Sequence, residues 1–234
     1  MNTQQPHDHI VRGVDEEQQR LKGELLRMGA MAADQLRAAL DAVDRRDEAA
    51  ARKVVAADAA IDLLEQDTSQ DVMKLALRGP LARDLREILA AIRIASDLER
   101  IGDYAANVAK RSLALNAAPA LPQIRGLASL GALAADQVRS VMDAYARQDA
   151  AAARRVRDAD AAVDAQYTGL FRELLTYMME DPRHITGCTH LLFMARNIER
   201  VGDHATNIAE NGLFLVTGAE SLPPREKCAG TANL

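Results

Sequence analysis

The chain has 234 residues, enough for one large domain or two small ones. It carries 29 Lys and Arg against 34 Asp and Glu, and this net charge of −5 argues against a general nucleic-acid binder, which needs a clustered basic face. Hydrophobic residues make up 48% of the chain but aromatic residues only 3%. Gly and Pro are sparse, whereas Ala, the best helix former, is abundant. The composition therefore favours long, closely packed helices over an all-β or Rossmann-type fold.

The sequence predicts a cytoplasmic protein. Its opening segment lacks the apolar core of a signal peptide, and no stretch approaches the roughly 18 uncharged apolar residues of a membrane span. Cys188 and Cys228 form neither a disulfide framework nor a CxxC metal site. Because the net charge is negative and no basic amphipathic stripe occurs, we expect contact with a membrane only through partners.

In the first part of the chain, apolar residues recur at helical spacing from Ile10 to Val43, which predicts a first helix. Asp47 is placed to cap a second helix that ends near Gly79. Pro80 suits the first turn of a third helix, where a missing N–H has no partner to lose. The same stop and start signals return at Asp149 and at Asp181–Pro182.

This recurrence reflects an internal repeat. GAMAADQLRAALDA at 29–42 returns as GALAADQVRSVMDA at 131–144, an offset of 102 residues. ERIGDYAANVAK at 99–110 returns as ERVGDHATNIAE at 199–210, an offset of 100 residues. A period of this length indicates a duplicated structural unit.

The expected fold is all-α, with two tandem three-helix bundles of long amphipathic helices. We predict the first repeat over 9–115 and the second over 123–217, joined by a linker at 116–122 that contains two prolines. Short connections between such helices favour antiparallel packing. Residues 1–8 and 218–234 are predicted to be disordered.

The informative residues lie on the third helix of each repeat. At about 100° per residue, Glu99 and Asp103 lie about 40° apart and continue a stripe that is apolar earlier in the helix, at Leu85, Ile92 and Ala95. The corresponding residues of the second repeat are Ile185, Leu192, Ala195, Glu199 and Asp203.

Paired carboxylates on a buried stripe require a compensating positive charge. Like charges one turn apart repel, and desolvation adds several kcal/mol per ion. A divalent metal ion is one solution, because carboxylate and amide oxygens are hard ligands suited to Mg, Mn, Ca or Fe. Further candidate ligands occur at matching places in the two repeats: Asn107, Asn207, Asp58, Asp62, Asp160 and Asp164. If the second helix faces the third, four carboxylates converge in each repeat.

A network of ion pairs is the alternative, since buried charges are usually paired. Arg100 and Arg200 adjoin the acids but lie about 100° away around the helix, which makes them poor partners. Arginines on the neighbouring helix, such as Arg52 or Arg154, are the better candidates.

Other features of the third helices narrow the choice. Gly102 and Gly202 lie at the edge of the stripe, where they allow close approach of another helix. His204 lies about 140° from Glu199 and cannot share its site, and Tyr104 replaces it in the first repeat. The sequence contains no Walker loop, GxSxG or HExxH motif, and we expect no enzymatic activity.

The doubled ER[IV]GD-x-A-x-N element, closing each repeat, resembles the signature of the PhoU family, and the likeness covers about residues 7–217. The resemblance implies a metal motif in each repeat, at Glu99 and Asp103 and at Glu199 and Asp203. The ion would be a divalent or transition metal, with Fe, Mn, Mg and Zn not distinguished. No organic cofactor is expected.

The resemblance also implies a function. PhoU proteins are cytoplasmic negative regulators of phosphate uptake and of the phosphate-starvation response. They act as non-enzymatic, homodimeric adaptors between the nucleotide-binding subunit of the Pst phosphate ABC transporter and a PhoR-type sensor histidine kinase. Two alternatives remain: a metal-dependent enzyme that uses the same carboxylates, and a purely structural helical spacer.

Overall fold

The structure is a computed structural model that describes residues 6–77, 82–117 and 119–218. This part of the chain is helical and contains no strand. The helices are α1 (Pro6–Arg45), α2 (Glu48–Ala76), α3 (Ala82–Leu115), α4 (Ile124–Arg147), α5 (Ala150–Glu180) and α6 (Ile185–Thr217), with a 3-10 turn at Pro182–His184. The predicted all-α fold is confirmed.

The second helix of each repeat begins as predicted. The carboxylates of Asp47 and Asp149 each accept a hydrogen bond of 2.9 Å from the backbone N–H three residues later. Arg46 and Gln148, just before them, have φ values of 53° and 51°. Each repeat therefore turns from its first helix into its second through one left-handed residue and an Asp cap. The predicted stop at Gly79–Pro80 lies outside the described residues.

The chain ends differ in part from the prediction. Helix α1 begins at Pro6, inside the segment 1–8 that was predicted to be disordered. Proline has a φ suited to the first helical turn and lacks only an N–H that is unpaired there, so a helix can start on it. At the other end, α6 stops at the left-handed Gly218. Residues 1–5 and 219–234 lie outside the described part, so their predicted disorder stays a prediction.

The helices form two bundles that pack side by side. Helices α1, α2 and α3 pack against one another, and so do α4, α5 and α6. The bundles meet where α1 packs on α4 and where α3 packs on α6, which leaves α2 and α5 on the outside. The core combines Leu, Ile, Val and Met with many fully buried alanines. Small side chains thus allow close helix packing in a chain that is poor in aromatic residues.

The contact between α1 and α4 follows an internal two-fold symmetry. A Cβ on Gly29 would lie only 2.6 Å from Cγ of Met142, and a Cβ on Gly131 would collide with the side chain of Leu40. Gly29 matches Gly131, and Leu40 matches Met142, at the offset of 102 residues. Each repeat therefore seats a large side chain over the glycine of the other, with α1 and α4 antiparallel.

Candidate functional site

The predicted carboxylates of the first repeat lie along the seam between α2 and α3. We call this group the first acid cluster; it consists of Asp58, Asp62, Glu65, Glu99 and Asp103. All five side chains are half-buried. The matching residues of the second repeat, here called the second acid cluster, are Asp160, Asp164, Glu199 and Asp203, with Tyr167 in the place of Glu65.

Gly102 determines how closely α2 approaches α3 in the first repeat. A Cβ at this position would lie 3.0 Å from Cδ1 of Ile61 and 3.3 Å from Oδ1 of Asp58. Gln35 of α1 donates from Nε2 to the same Asp58 oxygen at 3.1 Å and to the carbonyl of Val54 at 3.4 Å. The predicted role of this glycine in close helix approach is confirmed, and the amide of α1 holds Asp58 against the third helix.

The acids of the first cluster repel one another. Burial raises the pKa of Glu99, the charge of Asp103 raises it further, and Arg100 opposes the shift. Burial also raises the pKa of Asp58, and the charges of Asp103 and Asp62 add to the effect. The cluster therefore has an uncompensated negative potential that favours either protons or an external cation.

The prediction that Arg100 is a poor partner for these acids is wrong. Its Nε lies 3.5 Å from Glu99 Oε2 and its Nη1 lies 3.3 Å from Asp103 Oδ2. The long side chain reaches both carboxylates, although its Cα direction points away from them. Because the arginine is mostly exposed, these pairs are worth little. Arg52, one of the predicted partners, instead pairs with Glu48 on its own helix at 3.2 Å.

The second repeat reproduces the contact around the glycine. Gln137 Nε2 donates to Asp160 Oδ1 at 3.1 Å and to Thr206 Oγ1 at 3.4 Å. A Cβ on Gly202 would lie 2.9 Å from Asp160 Oδ1 and 3.2 Å from Cγ1 of Val163. These distances are slightly shorter than in the first repeat, so the helices pack more tightly here.

The second acid cluster differs from the first in its own cation. Arg196 Nη1 lies 2.9 Å from Oε1 of Glu199, whose side chain is only 3% exposed. The guanidinium also lies 5.8 Å from the ring centroid of Tyr167. The first repeat has Ser96 and Glu65 at the matching positions. The sequence analysis overlooked both exchanges, which a residue-by-residue comparison of the repeats reveals.

The predicted apolar stripe on α3 is only partly buried. Leu85 and Ile92 are 45% and 39% exposed, and Glu99 and Asp103 lie at the edge of the buried face. The reason is that α3 contacts α1, α2 and α6, so its buried face is wide and turned away from the line through the acids. Glu199 is buried because other side chains cover it.

The two candidate asparagines lie in different surroundings. Asn207 Nδ2 donates to Asp97 Oδ1 at 3.3 Å, across the contact between α6 and α3. His204 Nδ1 lies 2.7 Å from the same oxygen, so this histidine belongs to the junction between the repeats, as its predicted separation from the acids requires. Asn107 is half-buried one turn after Asp103.

The first acid cluster fits a metal ion in donor type and charge but does not form a coordination shell. Across the described ranges, no group of three or more His, Cys, Asp or Glu is close enough to hold a metal ion. The predicted convergence of four carboxylates is therefore wrong for the side chains as they stand. In the second cluster, the pair between Arg196 and Glu199 already supplies one positive charge.

No helix in the part of the chain that the structure describes is long and apolar enough to cross a membrane. The fold and the paired clusters together define a duplicated helical-bundle protein with an acid cluster in each half. The PhoU domain matches residues 25–112 and 127–212, one match in each repeat. The chain belongs to the PhoU family.

Curated relatives and solved structures agree with this assignment. The chain is 62% identical, over all of its length and 99% of the relative, to the phosphate-specific transport system accessory protein PhoU homolog of Xylella fastidiosa strain 9a5c. It is 46% identical to the homolog from Rhizobium meliloti strain 1021, with 97% of both chains covered.

The crystal structure of PhoU from Pseudomonas aeruginosa matches 88% of this chain and 99% of its own, with a TM-score of 0.85 at 36% identity. The phosphate transport system regulatory protein PhoU from Streptococcus pneumoniae matches 88% of this chain and 98% of its own, with a TM-score of 0.81 at 28% identity.

Proposed function

We propose that this protein is an accessory regulator of phosphate transport that restrains phosphate uptake and the phosphate-starvation response. The observation that carries the proposal is the match of both repeats to the PhoU domain, together with 62% identity over the whole chain to a relative named as a phosphate transport accessory protein. In this role the protein is a cytoplasmic, non-enzymatic adaptor. It acts as a homodimer between the nucleotide-binding subunit of the phosphate ABC transporter and a PhoR-type sensor histidine kinase.

The first test is alkaline phosphatase activity in phosphate-rich medium, in a strain that lacks the gene. We expect high activity without the gene and a return to the basal level when it is restored, because the starvation genes are no longer repressed in its absence. Activity that stays low in the deletion strain, with no second copy of the gene present, contradicts the regulatory proposal.

The adaptor step has a separate test. The tagged protein is purified under native conditions from cells that express the transporter and the kinase at their normal levels. We expect the nucleotide-binding subunit and the kinase to be retained. Retention of neither protein contradicts the adaptor role and favours the structural spacer.

We further propose that the first acid cluster binds a hard divalent or transition metal ion through Glu99 and Asp103, with Asp58 and Asp62 as further donors. The repulsion that raises the pKa of Glu99 and of Asp58 supports this proposal, because a bound cation relieves it. When bound, such an ion would supply positive charge at the seam between α2 and α3. Titration calorimetry of chelator-treated protein with Mn²⁺, Mg²⁺, Zn²⁺ and Fe²⁺ tests it, and absence of binding by all four contradicts it.

A further inference from the structure

Each repeat has an open groove on its outer surface, between its first two helices. In the first repeat the groove lies between α1 and α2 and has a volume of about 370 Å³. Val54, Ala57 and Ile61 form its floor, while Asp34 stands on the α1 rim and Lys53 on the α2 rim. We call this the first groove.

The second repeat has a matching groove between α4 and α5, with a volume of about 410 Å³. Its floor is formed by Val156, Ala159 and Val163, and its rims carry Asp136 and Arg155. Each of these residues lies 102 positions after its counterpart in the first groove. Both the apolar floor and the signs of the two rims are therefore the same in the two repeats.

The internal two-fold symmetry relates the two grooves. Gln35 lines the first groove and Gln137 lines the second. The glycine contacts between α1 and α4 are arranged symmetrically about the level of these two glutamines, since Gly29 and Gly131 meet the later parts of the opposite helix. The grooves thus flank the contact between α1 and α4 at the same height along it.

The groove floors are shaped to receive a helix. Ala57 and Ala159 are exposed and carry only a methyl group, so a helix seated on them can approach closely. Leu133, on the rim of the second groove, is also exposed, and Met31 takes its place in the first. An amphipathic helix that lays its apolar face into a groove of this kind is a common mode of recognition.

The rims determine which helix fits. Asp34 and Asp136 are exposed, and the arginine three residues after each of them is its partner in an exposed pair. Exposed pairs of this type contribute little to stability, so these carboxylates can pair again with an incoming cation. Lys53 and Arg155 stand exposed on the opposite rims. A helix with a basic edge and an acidic edge is therefore complementary to both grooves in one orientation.

We infer that the two grooves bind two equivalent amphipathic helices from the two subunits of a two-fold symmetric protein partner. The apolar ridge of each helix lies on the groove floor, its basic edge faces Asp34 or Asp136, and its acidic edge faces Lys53 or Arg155. This inference rests on the proposed adaptor function and identifies the surface that function uses. One chain then binds one partner dimer, and the two linked contacts give an avidity of about 10²- to 10⁴-fold over either contact alone.

The test measures binding of the full chain to the purified nucleotide-binding subunit and to the full-length kinase in nanodiscs. Ala57→Glu blocks the first groove and Ala159→Glu blocks the second. We expect each single variant to weaken binding to one of these partners by about 100-fold, because avidity is lost, and the double variant to abolish it. Native mass spectrometry should show one chain per partner dimer.

A matched control uses Ala49→Glu and Ala151→Glu, which add the same charge at exposed positions of α2 and α5 outside the grooves. These variants should bind like the wild type, and circular dichroism should show that all variants are folded.

The outcomes are distinct. If the wild type binds neither partner, the proposed adaptor function fails and this inference fails with it. If the wild type binds and the double groove variant binds equally well, the grooves are not the docking surface, while the adaptor function stands. If the double variant only converts a dimer of this chain into monomers, a second copy occupies the grooves and the inference is overturned.

Discussion

The two repeats hold the same internal contact but balance their acids differently. In both, a glutamine of the first helix holds an aspartate of the second beside a glycine of the third, as Gln35 holds Asp58 and Gln137 holds Asp160. In the second repeat Arg196 supplies a positive charge to the buried Glu199. Duplication therefore preserved the helix contacts, whereas one exchanged position decides whether the nearby carboxylates are compensated from within the chain.

The difference separates two physical strategies for the same acid motif. A buried carboxylate that pairs with an arginine of its own chain is stable without an external ion but requires that arginine. A half-buried cluster with only an exposed arginine tolerates its repulsion in water and can still accept protons or a cation. Four predictions follow this contrast from large effects to small.

The largest effect is expected for Arg196→Ala, which leaves Glu199 buried without its guanidinium. Loss of one partner of a buried pair destabilises a protein by about 3 kcal/mol. The matched control is Ser96→Ala in the first repeat, where the side chain is exposed and the change should stay within about 0.5 kcal/mol. Urea unfolding measures both.

A second variant isolates the charge. Adding Glu199→Gln to Arg196→Ala should recover part of the loss, because the buried group no longer carries a charge. If the double variant is no more stable than the single one, packing of the arginine against Tyr167 rather than charge explains its contribution.

The next effect concerns divalent cations. After chelation, added Mn²⁺ at about 100 times its Kd should stabilise the wild type by about 2.7 kcal/mol if one site is filled. Glu99→Gln with Asp103→Asn should abolish the increase in Tm, whereas Glu199→Gln with Asp203→Asn should retain it. Equal loss in both double variants would show that the two clusters are equivalent and would break the comparison.

Alanine at the two helix-contact glycines gives a smaller difference. A Cβ on Gly202 meets Asp160 at 2.9 Å, so Gly202→Ala should destabilise by about 1–2 kcal/mol through overpacking. A Cβ on Gly102 has slightly more room, and the gain in helix propensity should leave Gly102→Ala near neutral. Gly169→Ala on α5, with no heavy atom within 4 Å, is the control and should stabilise by about 0.5–1 kcal/mol. Thermal unfolding that ranks Gly102→Ala below Gly202→Ala contradicts the tighter packing of the second repeat.

The smallest effect is a pH dependence in the first cluster. Because the folded pKa values of Glu99 and Asp58 are raised, the folded state binds protons more readily than the unfolded chain, and these acids oppose folding at neutral pH. Asp103→Asn removes one source of repulsion and should stabilise by a few tenths of a kcal/mol at neutral pH.

This gain should fade as the pH falls through the raised pKa values, since protonated acids no longer repel. Urea unfolding at several pH values between about 7 and 4 measures it. A gain that grows toward low pH would contradict the repulsion.

Much of the fold could be predicted because its signals are local. Asp47 and Asp149 cap helices through their own backbone neighbours, and a repeated sequence places the same elements twice. The importance of Gly102 and Gly202 was also visible, since glycine inside a long helix requires a reason in packing.

The site was predicted less well because its details depend on neighbouring helices. An angle around an isolated helix describes where a Cα–Cβ bond points, but the Arg100 side chain is long enough to reach Glu99 and Asp103 from the side. The same angle cannot show how much of α3 its neighbours cover, which left Leu85 and Ile92 exposed.

The sequence by itself determined the helices, their caps, the duplication and the carboxylates that each repeat places on its second and third helices, because these depend on spacing along one chain. Only the tertiary structure decided which acids are compensated, since that depends on distances between side chains on different turns and helices. It also decided that the exposed floors of two matching grooves face outward on either side of α1 and α4, because a groove exists only once two helices are packed together.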